Sequence, residues 1–189
     1  MKTGLFFGSF NPIHTGHLII ANHIANFFTD EVWFIVSPQN PFKSREDLLD
    51  AGERFELAKL ATQEDARFKV SDIEFRLPTP SYTINTLTEL SKQYKEYEFL
   101  LVIGSDNLAG FPGWKSSEAI INAYKMLVFE RPGFPINKTT LHPNVQVITP
   151  ELLDISATAV RELITEGKSI RYLVPEAVRT RIEKDHYYK

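Results

Sequence analysis

Apolar residues along this chain recur in two alternating patterns: short, nearly continuous runs, and longer stretches in which they return at helical spacing. The short runs are Leu5-Phe6-Phe7, Glu31-Val32-Trp33-Phe34-Ile35-Val36, Phe68-Lys69-Val70, Glu98-Phe99-Leu100-Leu101-Val102-Ile103, Lys125-Met126-Leu127-Val128-Phe129 and Val145-Gln146-Val147-Ile148. Runs this short and this apolar suit strands that are covered on both faces. Between them, helices are marked by Leu18, Ile19, Ile20 and Ile24, by Phe55, Leu57, Ala58, Leu60 and Ala61, by Ile84, Leu87, Leu90 and Tyr94, and by Val160, Leu163 and Ile164. A last helix spans 175–184, with Pro175 in its first turn. The alternation predicts an α/β fold. It is a single Rossmann-like domain over 1–189, with a mostly parallel sheet of about five to six strands, helices on both faces, and a small C-terminal helical part from about 155 to 189.

Local detail follows from the same pattern. Asp72-Ile73-Glu74-Phe75-Arg76 alternates strictly after the third strand and is closed by Leu77-Pro78-Thr79-Pro80. Ser81 or Thr83 is placed to cap the helix that follows, and Ser156 or Thr158 the helix carrying Val160. Arg54 and Glu56 are expected on an exposed or edge face, and 131–135 as an ordinary Pro/Gly-rich loop.

Composition narrows the function classes. Hydrophobic content of 43% and charged content of 24% are ordinary for a globular chain, and a net charge of −3 gives no case for nucleic acid or an anionic membrane. With no cysteine there is neither a disulfide framework nor thiol chemistry. No apolar run approaches the ~20 residues of a membrane span, and the N-terminal run is too brief for a signal-peptide core. A cytoplasmic location is therefore expected, and Asn137-Lys138-Thr139 is a chance sequon. Oligomeric state stays open, a homo-oligomer included.

The richest chemistry lies at the first strand-to-helix junction. Gly8-Ser9 ends the apolar run, Asn11-Pro12 turns the chain, and a helix begins near His14 and His17. A helix N-terminus beyond a strand's carboxyl end favours an anion such as phosphate, and two imidazoles at i and i+3 share one face and can approach the same one. A zinc site is disfavoured, since no third ligand is spaced nearby. Gly167-Lys168-Ser169 is not a P-loop, because Glu162 stands where the first glycine belongs. Asp106, just past the fourth strand, suits ribose hydroxyls or caps the next helix, and Trp114 is either a core anchor or a flat face for a heteroaromatic ring. Arg161, read in the first turn of its helix, opposes the dipole and hints at an anion there.

Gly8-Ser9-Phe10-Asn11-Pro12-Ile13-His14-Thr15-Gly16-His17 resembles the G-S-F-D-P-x-H-x-G-H signature of the nucleotidylyltransferase superfamily, with Asn11 where Asp is common. Ile155-Ser156-Ala157-Thr158-Ala159-Val160-Arg161 resembles its I-S-x-T-x-x-R motif. Within the superfamily, Asp72–Arg76 followed by Ser81-Tyr82-Thr83, then Gly104-Ser105-Asp106-Asn107 with Trp114, and Tyr172-Leu173-Val174-Pro175 are similar to the bacterial nicotinate mononucleotide adenylyltransferases along nearly the whole chain. The resemblance implies adenylyl transfer from ATP to nicotinate mononucleotide, giving nicotinate adenine dinucleotide and pyrophosphate, a step of NAD biosynthesis. It implies His14, His17 and Arg161 as catalytic residues. Gly8, Ser9, Phe10, Gly104, Asp106, Ser156 and Thr158 would join them in holding ATP, and Mg²⁺ would be held mainly by ATP phosphates. Ser9, Asn40, Lys43, Tyr82, Thr83 and Trp114 would hold nicotinate mononucleotide. The family often has Pro-Pro-His-Lys where this chain has Asn40-Pro41-Phe42-Lys43. Phosphopantetheine adenylyltransferase shares the histidine motif but gives no reason for Ser81-Tyr82-Thr83 or Trp114. A non-catalytic nucleotide sensor on the same fold would have no need for both histidines and the arginine.

Overall fold

Successive side chains of a strand point to opposite faces, so a run that is apolar throughout must be covered on both sides. The computed structural model, which describes residues 1–38, 48–151 and 153–189, shows how. Six parallel strands, β1 (Lys2–Gly8), β2 (Glu31–Val36), β3 (Phe68–Ser71), β4 (Glu98–Gly104), β5 (Lys125–Phe129) and β6 (Val145–Ile148), lie in the order β3-β2-β1-β4-β5-β6. Phe6 pairs with Phe34 on one side and with Val102 on the other.

Phe6, Val32, Phe34, Leu100 and Val102 face one core, which is closed by Ile20 and Ile24 of α1 (Thr15–Phe27), Leu57 of α2 (Ala51–Thr62), Val160 of α6 (Ala157–Thr165) and Ile182 of α7 (Glu176–Asp185). Leu5, Trp33, Ile35, Leu101 and Ile103 face the other, closed by Leu87 and Leu90 of α3 (Thr83–Gln93), Leu108 of α4 (Ser105–Gly110) and Ile120 of α5 (Ser117–Ala123). Among the described residues no helix is long and apolar enough to cross a membrane. Strand order runs outward from β1 in one direction and from β4 in the other. The loops after these two strands therefore part and leave a crevice between them, the usual ligand position in open α/β sheets.

Three local expectations change. The alternating 72–76 segment is a 3-10 turn, Ile73–Arg76, that buries Ile73 and Glu74 and exposes Arg76; the alternation reports one inward face of a tight turn rather than an extended strand. Neither Ser81 nor Thr83 caps α3, whose N-cap is Tyr82 without a side-chain bond. Arg54 is fully buried, while Glu56 is exposed and pairs with Lys59.

The reason for Arg54 is irregular backbone. Its guanidinium donates to the carbonyls of Ser9, Ser37, Pro38 and Leu49, so it satisfies the loops that leave β1 and β2 and the entry to α2. Buried carbonyls outside regular structure need such donors, and arginine supplies several from one plane. Replacing Arg54 by Met should therefore lower stability by about 3–5 kcal/mol in urea unfolding, since several carbonyls would lose their donor at once. A loss under 1 kcal/mol would show that water replaces it at little cost.

Candidate active site

The loop after β1 rises over the crevice and carries Ser9, Phe10 and Asn11. Phe10 has a left-handed backbone, φ 46°, and its buried ring lies edge-on to Phe6, Phe34 and His17, with the His17 centroid 5.1 Å away. His14 is the N-cap of α1 and His17 lies in its first turn. Their rings stack, with centroids 3.7 Å apart and planes inclined by 25°. The His14 backbone N–H donates to His17 Nδ1 at 3.2 Å, which leaves the proton of a neutral His17 on Nε2. A Cβ on Gly16 would stand 3.1 Å from His14 Nδ1 and 3.8 Å from Ile155 Cβ. The glycine between the histidines thus lets the imidazole and the segment before α6 close on α1.

Helix-end donors contribute less here than the junction suggests. The Thr15 N–H is taken by Leu173 O at 2.8 Å and the His17 N–H by His14 O at 3.0 Å. The Tyr172–Pro175 stretch therefore serves to anchor α1, with Thr15 Oγ1 also donating to Tyr172 O. Side chains therefore add to what the backbone can offer an anion.

Those side chains converge. A cavity of about 420 Å³ is lined by Gly8, Ser9, Phe10, His14, His17, Gly104, Asp106, Ser156, Thr158 and Arg161. Arg161 lies one turn into α6, not in its first turn, and reaches back to donate to Asn11 O at 2.9 Å. Ser156 is the N-cap of α6, its Oγ accepting from the Ala159 N–H at 3.1 Å, so Thr158 is released from that task. Asn11 bridges two elements: besides Arg161 on its carbonyl, its side-chain oxygen accepts from the Leu49 N–H at 3.2 Å.

Arg131 belongs to the same cavity and was read only as part of a loop. Arg131-Pro132-Gly133-Phe134 forms a turn with Gly133 at φ 82° and Phe134 N–H bonded to Arg131 O, the arrangement that Pro followed by Gly favours. The Arg131 N–H donates to Ser105 Oγ at 2.8 Å, and its Nε lies 3.6 Å from Asp106 Oδ1. The available signal was positional: a cation two residues past β5, at the carboxyl edge of the sheet.

A second cavity, of about 430 Å³, adjoins the first, and both are lined by Phe7, Gly8, Ile103 and Asn107. Tyr82, Thr83 and Trp114 line it, as do Glu74, Ser81 and Lys115, none of which is among the ligand-binding residues expected from the sequence. Trp114 packs on Phe111 at 5.4 Å, against the core, as one of its two readings expected, and it also lines this cavity. Ser9, expected to hold nicotinate mononucleotide as well as ATP, lines the first cavity and not this one. Asn40, Phe42 and Lys43 lie outside the described residues.

A family model described as cytidylyltransferase-like matches residues 5–163. A Cytophaga hutchinsonii protein named "Probable nicotinate-nucleotide adenylyltransferase" is 49% identical over 189 residues, covering 100% of this chain and 98% of its own length. A Bacteroides fragilis protein of the same name is 51% identical over 182 residues, 96% of this chain and 90% of its own. Among solved structures, Plasmodium falciparum nicotinic acid mononucleotide adenylyltransferase complexed with NaAD has a TM-score of 0.85 at 20% identity, covering 99% of this chain and 97% of that one, which shows the shared fold.

Burial, aided by repulsion from Arg131, lowers the pKa of His14 to about 4. His14 is thus neutral at pH 7, which also spares the stacked pair two like charges. The unfolded chain binds this proton near pH 6.5 and the folded chain only near 4, so the stability held above pH 6.5 is lost as pH falls through that window, by about 3 kcal/mol. Urea unfolding at pH 7 and pH 4 should show this loss in the wild type and a correspondingly smaller one in His14→Asn. Equal losses in the two proteins would mean that His14 is not held neutral by the fold.

Proposed function

Because the chain belongs to the cytidylyltransferase-like family, and within it to the nicotinate-nucleotide adenylyltransferases, we infer that it transfers the adenylyl group of ATP to nicotinate mononucleotide. The products are nicotinate adenine dinucleotide and pyrophosphate, and the step belongs to NAD biosynthesis. The observation that carries the site assignment is the meeting of His14, His17 and Arg161 on one cavity that shares a wall with the Trp114 cavity.

ATP occupies the first cavity and nicotinate mononucleotide the second, with the reacting phosphates at the shared wall of Gly8 and Asn107. An oxygen of the mononucleotide phosphate attacks the α-phosphorus; the new P–O bond forms as the bond to the β-phosphate oxygen breaks, and pyrophosphate departs. No covalent nucleophile on the protein is needed, only positioning and neutralisation of charge. His17 donates through Nε2–H, and Arg161 and Arg131 offer guanidinium donors to the phosphates. His14, uncharged before ATP arrives, gains basicity beside the triphosphate and becomes a second imidazole donor. Asp106 and Gly104 face the adenosine ribose, while Trp114 and the Tyr82-Thr83 corner hold the pyridine ring.

A divalent cation accompanies ATP in this chemistry, and we take it to be Mg²⁺. Asp106 is the only carboxylate among the described residues of the ATP cavity and already faces Arg131, and no cluster of three or more ligating side chains exists among the described residues. The donor set fits a cation carried on phosphate oxygens and water, where it supplies charge neutralisation. Residues 1–189 are read as one catalytic unit, with the part from about 155 contributing Arg161, and the enzyme as cytoplasmic.

Pyrophosphate release from Mg-ATP should require nicotinate mononucleotide or its amide, and phosphopantetheine should give none. Release only with phosphopantetheine, or with no acceptor, would refute the assignment. His17→Ala should lower kcat by about 10²–10³-fold while changing nicotinate mononucleotide affinity little. An unchanged kcat with a raised KM would confine His17 to ground-state binding.

A further inference from the structure

Glu74 sits on the 3-10 turn Ile73–Arg76 with its side chain directed inward, and it is 1% exposed. Thr86 Oγ1 of α3 donates to its Oε1 at 2.7 Å. Its Oε2 is buried and has no hydrogen-bond partner among the described residues, and the same holds for Ser81 Oγ, which lines the same cavity. A carboxyl group, half satisfied, thus forms part of the wall of the chamber that also holds Tyr82, Thr83 and Trp114.

We propose that Glu74 makes this chamber's discrimination between a pyridine acid and the corresponding amide depend on pH, by entering the acid complex uncharged. The inference rests on the proposed function, in which the chamber receives the pyridine ring. Two carboxylates brought face to face at close range do not readily both stay ionised, so the incoming nicotinate carboxylate and the wall carboxyl would share one negative charge. The proton comes from solvent, is taken up by Glu74 as the acid binds, and returns when the product leaves. A carboxamide carries no charge and offers an N–H₂ donor, so it is compatible with an ionised Glu74. Thr86 can donate to Oε1 in either form, which keeps the side chain in place through the change.

The surroundings fit a group that titrates alone. Burial raises the pKa of its carboxyl above the usual carboxylate range. Its own turn carries Asp72 and Arg76, paired with each other at 2.9 Å. It is faced by the hydroxyls of Ser37, just past β2, of Ser81, just before α3, and of Thr86 in α3, which favour its charged form and offset part of the burial effect. Lys115, from the segment before α5, holds its ammonium 4.5 Å from the ring centroid of Tyr82. No histidine lines this cavity among the described residues.

The test compares affinities for nicotinate mononucleotide and nicotinamide mononucleotide by calorimetry between pH 6 and 8.5, taken as a ratio. Both ligands carry the same ribose phosphate, so titrations at the phosphate site cancel. The ratio should fall as pH rises, by up to about tenfold per unit, in the wild type. Glu74→Gln keeps an acceptor for Thr86 without a titrating charge, and its ratio should be flat. In buffers of different ionisation enthalpy, the acid should draw more protons onto wild-type protein than onto E74Q, a readout that needs no amide; if E74Q does not fold, the wild-type slope decides. A wild-type ratio independent of pH, or the same slope or proton uptake in E74Q, overturns the inference while leaving the enzyme assignment intact. A wild type that releases no pyrophosphate with either pyridine nucleotide overturns both.

Discussion

Irregular backbone buried over the end of a parallel sheet has carbonyls that need donors, and in this protein two arginines supply them. Arg54 donates to Ser9 O and Arg161 to Asn11 O, so the loop after β1 is held from α2 on one side and from α6 on the other. Without those donors the loop would have to open to water. With them, it sets Phe10 under His17, places His14 at the head of α1, and leaves Gly8 as the wall between two chambers. The Arg161 contact joins residues 150 positions apart and makes a cation that lines the first chamber part of the scaffold that supports the imidazoles.

Charge is distributed unevenly between the two chambers. The first chamber gathers Arg131, Arg161 and two imidazoles around one carboxylate, Asp106, although the chain as a whole carries a net charge of −3. His14 stays neutral because burial, and after it repulsion from Arg131, makes a positive charge there costly. The second chamber holds Lys115 and Glu74 beside aromatic surface. The sheet separates neither chamber from the other: both open at its carboxyl edge, where the loops after β1 and β4 diverge.

The strands and most helices were legible because each depends on a local pattern of apolar residues, and burial on both faces produces the near-continuous runs that β2 and β4 show. The two histidines and Arg161 were legible through motif spacing, and the structure brings them to one cavity; what they do there is proposed. Other features depend on three-dimensional neighbours. Arg54 has the composition of a surface residue, and only the loops folded around it reveal four carbonyl partners. Arg131 opens a Pro-Gly turn whose sequence shows that the chain reverses but not where the arginine points. Glu74 alternates as a strand residue would, yet lies in a 3-10 turn, because Thr86 and a chamber wall make the inward position acceptable for a carboxyl group.

The account turns on one triphosphate touching both ends of the chain. A crystal structure with a non-hydrolysable ATP analogue, Mg²⁺ and nicotinate mononucleotide addresses this most directly. It should show phosphate oxygens within about 3.2 Å of both His17 Nε2 and the Arg161 guanidinium, with the pyridine ring against Trp114. A triphosphate bound away from either residue would contradict the account.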